Sequence, residues 1–398
     1  MTNLPQGWKM ETLGEILSSD KYSIKRGPFG SALKKSFFVE KGIRIFEQYN
    51  PINNDPHWKR YFISHEKFQE LEAFKATEGD LLISCSGTLG KIVELPKDTE
   101  MGIINQALLK IRLNNIKILN SYFIYYFNSP IMQEKILEST LGSAIKNIAS
   151  VKILKQIEIP LPPLKEQERI VGILDESFAK IDESIKILEQ DLLNLDELMQ
   201  SALQKAFNPL KDNAKENYKL PQSWEWKSLE EISENISAGG DKPKNCTESK
   251  TAKNQIPVYA NGVNNNGLVG YTDKATIIKP SLTISARGTI GFVCIRKEPY
   301  FPIVRLISLI PCENILCLHY LYFCLNFFIA KGEGSSIPQL TIPKFKSLQI
   351  PLPPLKEQEQ IAEHLDFVFE KAKALKELYT KELKDYEELK QSLLNKAF

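Results

Sequence analysis

The sequence predicts an α+β protein built from two copies of one unit, in which a globular domain of mixed strands and helices precedes one long helix. Two observations carry this prediction. Residues 159–168 recur letter for letter as residues 350–359, and the similarity then continues to the end of the chain. After each copy, apolar residues return at alternating steps of three and four, as on one face of a coiled-coil helix.

The opening of each unit and its internal loops are repeated as well. Residues 4–16 resemble residues 220–232, and residues 83–90 match residues 284–291, where alternating β-forming residues lead into a glycine-containing loop. The predicted boundaries follow from these matches. They are a first globular domain over residues 1–157, a central helix region over 158–207, a linker over 208–219, a second globular domain over 220–349 and a C-terminal helix region over 350–398.

A helix is expected to begin near Pro163, because proline is tolerated at the first turn of a helix and not in its interior. Each helix of about 43 residues would be roughly 64 Å long. A single helix cannot bury its own apolar stripe, so each stripe needs a partner to pack against. We therefore expect the two helices to pair with each other as an antiparallel coiled coil with pseudo-two-fold symmetry. Two separate stalks or a homodimeric coiled coil are the alternatives. The residues assigned to the helix-pair seam are Ile170, Leu174, Phe178, Ile181, Ile185, Leu188, Leu192, Leu195, Ile361, Leu365, Phe369, Ala372, Leu383 and Tyr386. The apolar series of the second copy is looser and also contains Leu375, Tyr379, Leu389, Leu393 and Ala397.

The net charge of +2 hides an uneven distribution. Residues 1–157 carry 21 basic and 16 acidic side chains and residues 208–349 carry 17 and 12, so each region has a net charge of +5. Residues 158–207 carry 5 and 11, and residues 350–398 carry 8 and 10, which makes both helix regions acidic. This pattern favours a polyanion as the partner of the globular domains and protein as the partner of the helices.

Several classes of protein are disfavoured. The start of the sequence has no export signal, and the apolar run over residues 315–330 is short for a membrane span, so a cytoplasmic protein is expected. The six cysteines and four histidines show no metal-ligand spacing. Residues 87–91 lack the spacing of a phosphate-binding loop, and no Asp/Asn-Pro-Pro-Tyr methyltransferase motif is present. We expect no cofactor, no metal and no catalytic activity.

The doubled motif Pro-Leu-Pro-Pro-Leu-x-Glu-Gln-x-x-Ile-x-x-x-Leu-Asp, each copy following a globular domain, resembles the specificity (S) subunits of type I restriction-modification systems. The resemblance covers essentially the whole chain. It implies two target-recognition domains, each of which reads one half of an asymmetric bipartite site in double-stranded DNA. It also implies that the helices set the half-site spacing and dock two methyltransferase (M) subunits, to which nuclease-translocase (R) subunits add.

Base reading needs side chains that donate or accept hydrogen bonds, and we assign it to polar residues of the loops. In the first globular domain these are Lys25, Arg26, Ser31, Lys34, Lys35, Ser84, Ser86, Thr88, Lys91, Ser143, Lys146 and Asn147. In the second they are Lys242, Lys244, Asn261, Asn264, Asn265, Asn266, Arg287, Thr289, Ser335, Ser336 and Gln339.

Two other functions remain open at this point. One is that the chain is a fragment of a fused restriction-methylation enzyme, in which case it should methylate DNA by itself. The other is that it is a coiled-coil structural adaptor without DNA specificity, in which case it should bind no DNA at low salt, with or without partners.

Overall fold

The computed structural model describes residues 5–138, 148, 150–207, 220–329, 332–333 and 340–398. The chain divides into a first unit, Met1–Leu188 with Lys381–Phe398, and a second unit, Glu189–Thr380. The predicted linker over residues 208–219 lies outside the described residues.

The first unit combines α-helices with three β-sheets among its described residues. Their strand orders are β1-β11, β2-β10-β7-β8, and β3-β5-β4-β9-β6. The strands are β1 (Lys9–Thr12), β2 (Ile24–Arg26), β3 (Phe38–Val39), β4 (Ile43–Phe46), β5 (Phe62–Ile63), β6 (Lys75–Ala76), β7 (Leu81–Ser84), β8 (Ile92–Glu94), β9 (Gly102–Ile104), β10 (Leu108–Ile111) and β11 (Glu158–Leu161). The α-helices are α1 (Tyr49–Ile52), α2 (His65–Glu70), α3 (Asn120–Asn128), α4 (Pro130–Glu138), α5 (Val151–Leu154) and the part up to Leu188 of the long α6 (Leu164–Phe207), with 3-10 turns at Leu13–Ile16, Gly30–Ala32, Lys35–Phe37 and Glu72–Phe74.

The second unit repeats this plan. Its four-stranded sheet has the order β13-β20-β16-β18, which matches β2-β10-β7-β8 strand for strand, and β12 pairs with β22 as β1 pairs with β11. The strands are β12 (Glu225–Ser228), β13 (Ser233–Ala238), β14 (Ile256–Tyr259), β15 (Leu268–Thr272), β16 (Ser281–Ile284), β17 (Thr289–Ile290), β18 (Val293–Arg296), β19 (Phe301–Pro302), β20 (Ile307–Pro311), β21 (Gly332–Glu333) and β22 (Gln349–Leu352). The helices are α7 (Leu229–Ile232), α8 (Leu318–Phe328), α9 (Ile342–Lys346) and the part up to Thr380 of the long α10 (Leu355–Ala397), with a 3-10 turn at Asn264–Gly267.

The repeated proline motif forms a strand that pairs with the repeated opening of the same unit. In the first unit Met10 lies opposite Pro160, and in the second Trp226 lies opposite Pro351. The next residues enter the long helix, which begins at Leu164 after the prolines, as the sequence predicts. The opening stretch and the proline motif, which are the most similar parts of the two repeats, therefore lie side by side within each unit.

A buried glutamine accounts for the Gln of the repeated Lys-Glu-Gln. The side chain of Gln167 donates to the carbonyls of Lys117 and Pro162, both at 2.9 Å, and accepts from the Leu119 N–H. Gln358 makes the equivalent three hydrogen bonds in the second unit, with Ile315, Pro353 and Cys317. Each glutamine thus fastens the start of a long helix to the loop that enters α3 or α8.

No described helix is long and apolar enough to cross a membrane.

Within each unit the two long helices run antiparallel. In the first unit the end of α10 returns to the beginning of α6, where Lys390 pairs with Asp182 at 2.5 Å. The ring of Phe398 lies 5.4 Å from that of Tyr122 in the same core. In the second unit Lys376 of α10 pairs with Asp196 of α6. The antiparallel coiled coil and the α+β class are confirmed.

The residues assigned to the seam are buried or half-buried. Leu375 and Leu389, which belong to the looser apolar series of the second copy, are exposed. In each case the next residue, Lys376 or Lys390, is more buried and reaches the partner helix to form an ion pair. The apolar stripe of α10 has drifted by one position at these points.

Candidate nucleic-acid interface

The loops after β7 and β16 share one backbone frame. The N–H of Gly90 donates to the Ser84 carbonyl at 3.0 Å, and that of Gly291 donates to the Ser285 carbonyl at 3.0 Å. Gly87 and Gly288 both have a φ of 68°, a value that a residue with a Cβ rarely adopts. Between these fixed points the side chains differ, because Ser86 stands where the second unit has Arg287.

In the first unit, the polar residues of this loop divide between structural and exposed positions. Ser84 is fully buried and its hydroxyl accepts from the Lys91 N–H at 3.0 Å, so it shapes the loop and is inaccessible to DNA. Ser86 is half-buried beside Gln48, with 3.5 Å between their side-chain oxygens. Thr88 and Lys91 are exposed at the tip.

The segment around β2 presents further cations. Lys25 is half-buried, with its Nζ 5.2 Å from the centre of the Phe74 ring, and the Arg26 guanidinium lies 5.3 Å from the exposed ring of Phe29. The turns that follow carry three exposed predicted residues, which are Ser31, Lys34 and Lys35.

In the second unit the Asn264–Gly267 turn is an exposed polar loop. Asn265 and Asn266 have positive φ values of 48° and 52°, a conformation that asparagine tolerates better than most residues. The carbonyl of Asn266 accepts from Nη2 of Arg296 at 2.6 Å, and this buried guanidinium stacks 3.6 Å from the centre of the Tyr259 ring. Arg296 thus supports the turn through its backbone, while the amide side chains of the turn remain exposed.

Asn261 differs from its exposed neighbours because its amide is already used. Its Nδ2 donates to the Val304 carbonyl at 2.6 Å, and its Oδ1 accepts from the Ala286 N–H at 2.8 Å. This residue joins two loops, and both the nitrogen and the oxygen of its amide are engaged within the fold. Lys242 and Lys244 are exposed, whereas Arg287 and Thr289 are half-buried.

Six predicted DNA-binding residues lie outside the described residues. They are Ser143, Lys146, Asn147, Ser335, Ser336 and Gln339.

A second buried arginine supports a loop in the first unit. Arg44 is only 2% exposed, and its Nη2 donates to the carbonyls of Pro56 and Trp58 at 3.0 and 2.6 Å. Burial lowers the pKa of its guanidinium. The rings of Tyr49 and Trp58 stack at 4.3 Å on this loop. The sequence offers little signal for Arg44 or Arg296, since each stands as a lone cation within an apolar strand.

The described residues contain no group of three or more metal-ligating side chains. Burial raises the pKa of the Cys85 thiol to about 12 and also raises the pKa values of Cys294 and Cys324, so none of these three is an activated nucleophile. The geometry instead offers exposed polar and cationic loops on a rigid frame, which suits recognition of a polyanion.

Comparison with known proteins gives one consistent result. A family model described as the type I restriction modification DNA specificity domain matches residues 5–192 and again residues 221–384. A putative type I specificity subunit of Mycoplasma pneumoniae is 33% identical over 221 residues, which cover 54% of this chain and 56% of that protein. A second from the same organism is 31% identical over 56% of this chain and 66% of its own length. The chain therefore spans about half to two thirds of these two relatives.

Longer alignments agree. A putative type I restriction enzyme specificity subunit of Methanocaldococcus jannaschii is 25% identical over 84% of this chain and 81% of its own. A structure concerned with complex assembly and conformational transition of the type I R-M system has a TM-score of 0.80 at 20% identity, covering 100% of this chain and 99% of that one. The HsdS subunit from Thermoanaerobacter tengcongensis has a TM-score of 0.63 at 20% identity, covering 99% and 97%. The two matches of the family model, one in each repeat, show that this chain belongs to the type I restriction modification DNA specificity domain family.

Proposed function

We propose that this chain is the non-catalytic DNA-recognition subunit of a type I restriction-modification complex. Each unit reads one half of an asymmetric bipartite site in double-stranded DNA. The observation that carries this proposal is the pair of loops after β7 and β16, which have the same backbone frame and different side chains, Ser86 against Arg287. Two readers of different sequences need a shared scaffold and unlike side chains at its tip.

Affinity and specificity would come from different residues. Exposed lysines such as Lys34, Lys35, Lys242 and Lys244 would contact phosphates, which gives sequence-independent affinity that falls steeply with salt. The amides of the Asn264–Gly267 turn, together with Thr88, Arg287 and Lys91, would contact base edges. Ser84 and Asn261 are left out of this set because their polar groups are engaged within the fold.

The long helices would set the half-site spacing and dock the M subunits, through which R subunits join. At 44 and 43 residues they are roughly 66 and 64 Å long, compared with about 34 Å for one turn of duplex. Docking is supported by apolar side chains that remain exposed on them. In the first unit these are Ile173, Ile187 and Leu389, and in the second unit Leu193, Leu198, Phe367, Leu375 and Leu378.

The test is sequence-resolved methylation by this chain co-expressed with its M subunits. We expect one asymmetric motif of two parts with a fixed gap. Replacing residues 220–349 by the same region of another specificity subunit should change only one part of the motif. Methylation without sequence preference would refute recognition and favour the adaptor. Methylation by this chain alone would show it to be a fragment of a fused enzyme.

Docking is tested separately. Ile187→Glu should weaken assembly with the M subunits while leaving the melting temperature of the isolated chain unchanged, because the side chain is exposed. The neighbouring exposed Lys186→Ala is the control. Equal assembly by both variants would exclude this part of α6 from the docking surface.

A further inference from the structure

The second unit contains a turn whose backbone conformation is unfavourable for the residues that form it. Residues 303–306 connect β19 to β20, and the Leu306 N–H donates to the Ile303 carbonyl at 3.1 Å. Val304 and Arg305 have φ values of 54° and 60°. Positive φ is uncommon for any residue with a Cβ and is a genuine outlier for a β-branched one. Turn positions that require positive φ are usually occupied by glycine or asparagine.

Neighbouring backbone holds this turn in place. The N–H groups of Val304 and Arg305 donate to the carbonyls of Gly240 and Gly239, both at 2.8 Å. The approach is close, since a Cβ on Gly239 would lie 2.6 Å from the Ile303 nitrogen. The Asn261 amide holds the Val304 carbonyl from the other side. Strain persists only where the surroundings enforce it, and such sites cluster where the protein binds or reacts.

The turn directs two unlike side chains to solvent. Val304 is 51% exposed, and Arg305 is exposed. Arg305 lines a cleft of about 150 Å³ together with Arg287 of the loop after β16. Among the side chains that the structure describes, no carboxylate lies within 4.0 Å of either guanidinium. An apolar side chain and two cationic side chains thus lie together beside the predicted reading loop.

The first unit has a turn at the equivalent place that is closed by the same hydrogen bonds, but its central residues, Gln106 and Ala107, do not share the positive φ of Val304 and Arg305. The Leu108 N–H donates to the Asn105 carbonyl at 3.1 Å, and the Gly27 N–H donates to the Leu108 carbonyl at 2.9 Å. In the second unit the Gly239 N–H donates to the Leu306 carbonyl at 2.8 Å. A Cβ on Gly27 would lie 1.8 Å from the Asn105 oxygen, so the close approach to a glycine is repeated. The exposed Gln106 occupies the position of Val304.

We propose that the turn over residues 303–306 is a base-reading element of the second unit, with Arg305 as a specificity-determining residue. This inference rests on the proposed function and extends it to a site that the sequence gives no reason to select. A guanidinium donates two hydrogen bonds to O6 and N7 of guanine, and an adjacent apolar group suits the methyl of thymine. The matching turn of the first unit presents the Gln106 amide, whose donor and acceptor suit adenine.

The test is Arg305→Gly in the complete complex with M subunits, because glycine removes the guanidinium and accepts positive φ without strain. We expect a melting temperature equal to or above that of the unchanged chain. In sequence-resolved methylation, discrimination should fall about tenfold at one or two base pairs of the half-site read by the second unit. The other half-site should be unaffected. Lys279→Ala is the control, since it removes a charge already paired with Glu234 and should leave the motif unchanged.

A second variant separates the turn from the arginine. Val304→Asn places a residue that tolerates positive φ in the turn and keeps Arg305, so it should raise the melting temperature and preserve the base pair that depends on Arg305. An unchanged motif with Arg305→Gly would overturn this inference and leave the proposed function standing. A lower melting temperature with Arg305→Gly would show a structural role instead. Absence of any motif in the unchanged complex would refute the proposed function itself.

Discussion

Each unit stabilises its own fold with equivalent residues, and the two units differ in the side chains that their loops expose. Gln167 and Gln358 make equivalent hydrogen bonds, and the hydroxyls of Tyr122 and Tyr320 donate to Pro160 and Pro351 at 2.8 and 2.6 Å. The exposed loop positions have diverged. Repetition in this sequence therefore marks the residues that fix the scaffold, and divergence marks the surfaces proposed to read DNA.

The largest expected effect concerns the aromatic residue at the end of each long helix. Phe207 is fully buried, with its ring 5.5 Å from that of Tyr320, whereas Phe398 is only half-buried against Tyr122. Phe207→Ala should cost about 3–5 kcal/mol of unfolding free energy and Phe398→Ala clearly less. Denaturant unfolding measures both.

Phe367→Ala is the matched control, because that ring is 61% exposed and its removal should change stability by less than about 0.5 kcal/mol. Equal costs at Phe207 and Phe398 would show that the two helix ends are packed alike in solution.

The next effect tests the shared glutamines. Gln167→Ala and Gln358→Ala each leave two carbonyls and one N–H without their partner in a buried site. We expect a loss of about 2–4 kcal/mol for each variant, similar in the two units. Thermal unfolding compares them, with the exposed Gln360→Ala as the control. A large difference between the two would contradict their equivalence.

A third effect separates the units by function. Arg44 and Arg296 lie on strands that are not equivalent, β4 and β18, yet both place a buried guanidinium under an exposed loop. Arg44→Met should relax discrimination in one half of the methylated motif and Arg296→Met in the other. Sequence-resolved methylation by the complete complex gives the result. Changes in both halves from either variant would argue against independent readers.

The sequence predicts the scaffold well because the scaffold obeys periodic rules. The duplication, the helix beginning after Pro163 and the antiparallel helix pair follow from repeated motifs and apolar spacing. The drift at Leu375 and Leu389 does not follow, since an ion pair between two helices overrides apolar spacing there. The apolar spacing also does not reveal which polar loop residues form hydrogen bonds within the fold. Ser84 and Asn261 resemble their exposed neighbours in sequence, and only the three-dimensional hydrogen bonds distinguish them.

The smallest effect concerns the capping carboxylates near the start of each unit. Glu15 accepts hydrogen bonds from the Thr12 N–H and hydroxyl, and Glu231 accepts the equivalent pair from Ser228. The Thr12 backbone N–H chiefly lowers the pKa of Glu15, and the Ser228 hydroxyl chiefly lowers the pKa of Glu231. A carboxyl whose pKa is lower in the folded state stabilises the fold above its ordinary pKa.

That contribution is complete above the ordinary pKa of 4.5 and is lost as pH falls through the lowered value in the folded chain. Glutamine keeps the capping geometry without the titration. Glu15→Gln and Glu231→Gln should therefore each flatten the fall in stability below about pH 4.5, by similar small amounts, when unfolding is followed from pH 6 to pH 3. The exposed Glu363→Gln, which caps no helix start, is the control. A flattening by only one of the two capping variants would show that the units, although built alike, hold their first turns by different forces.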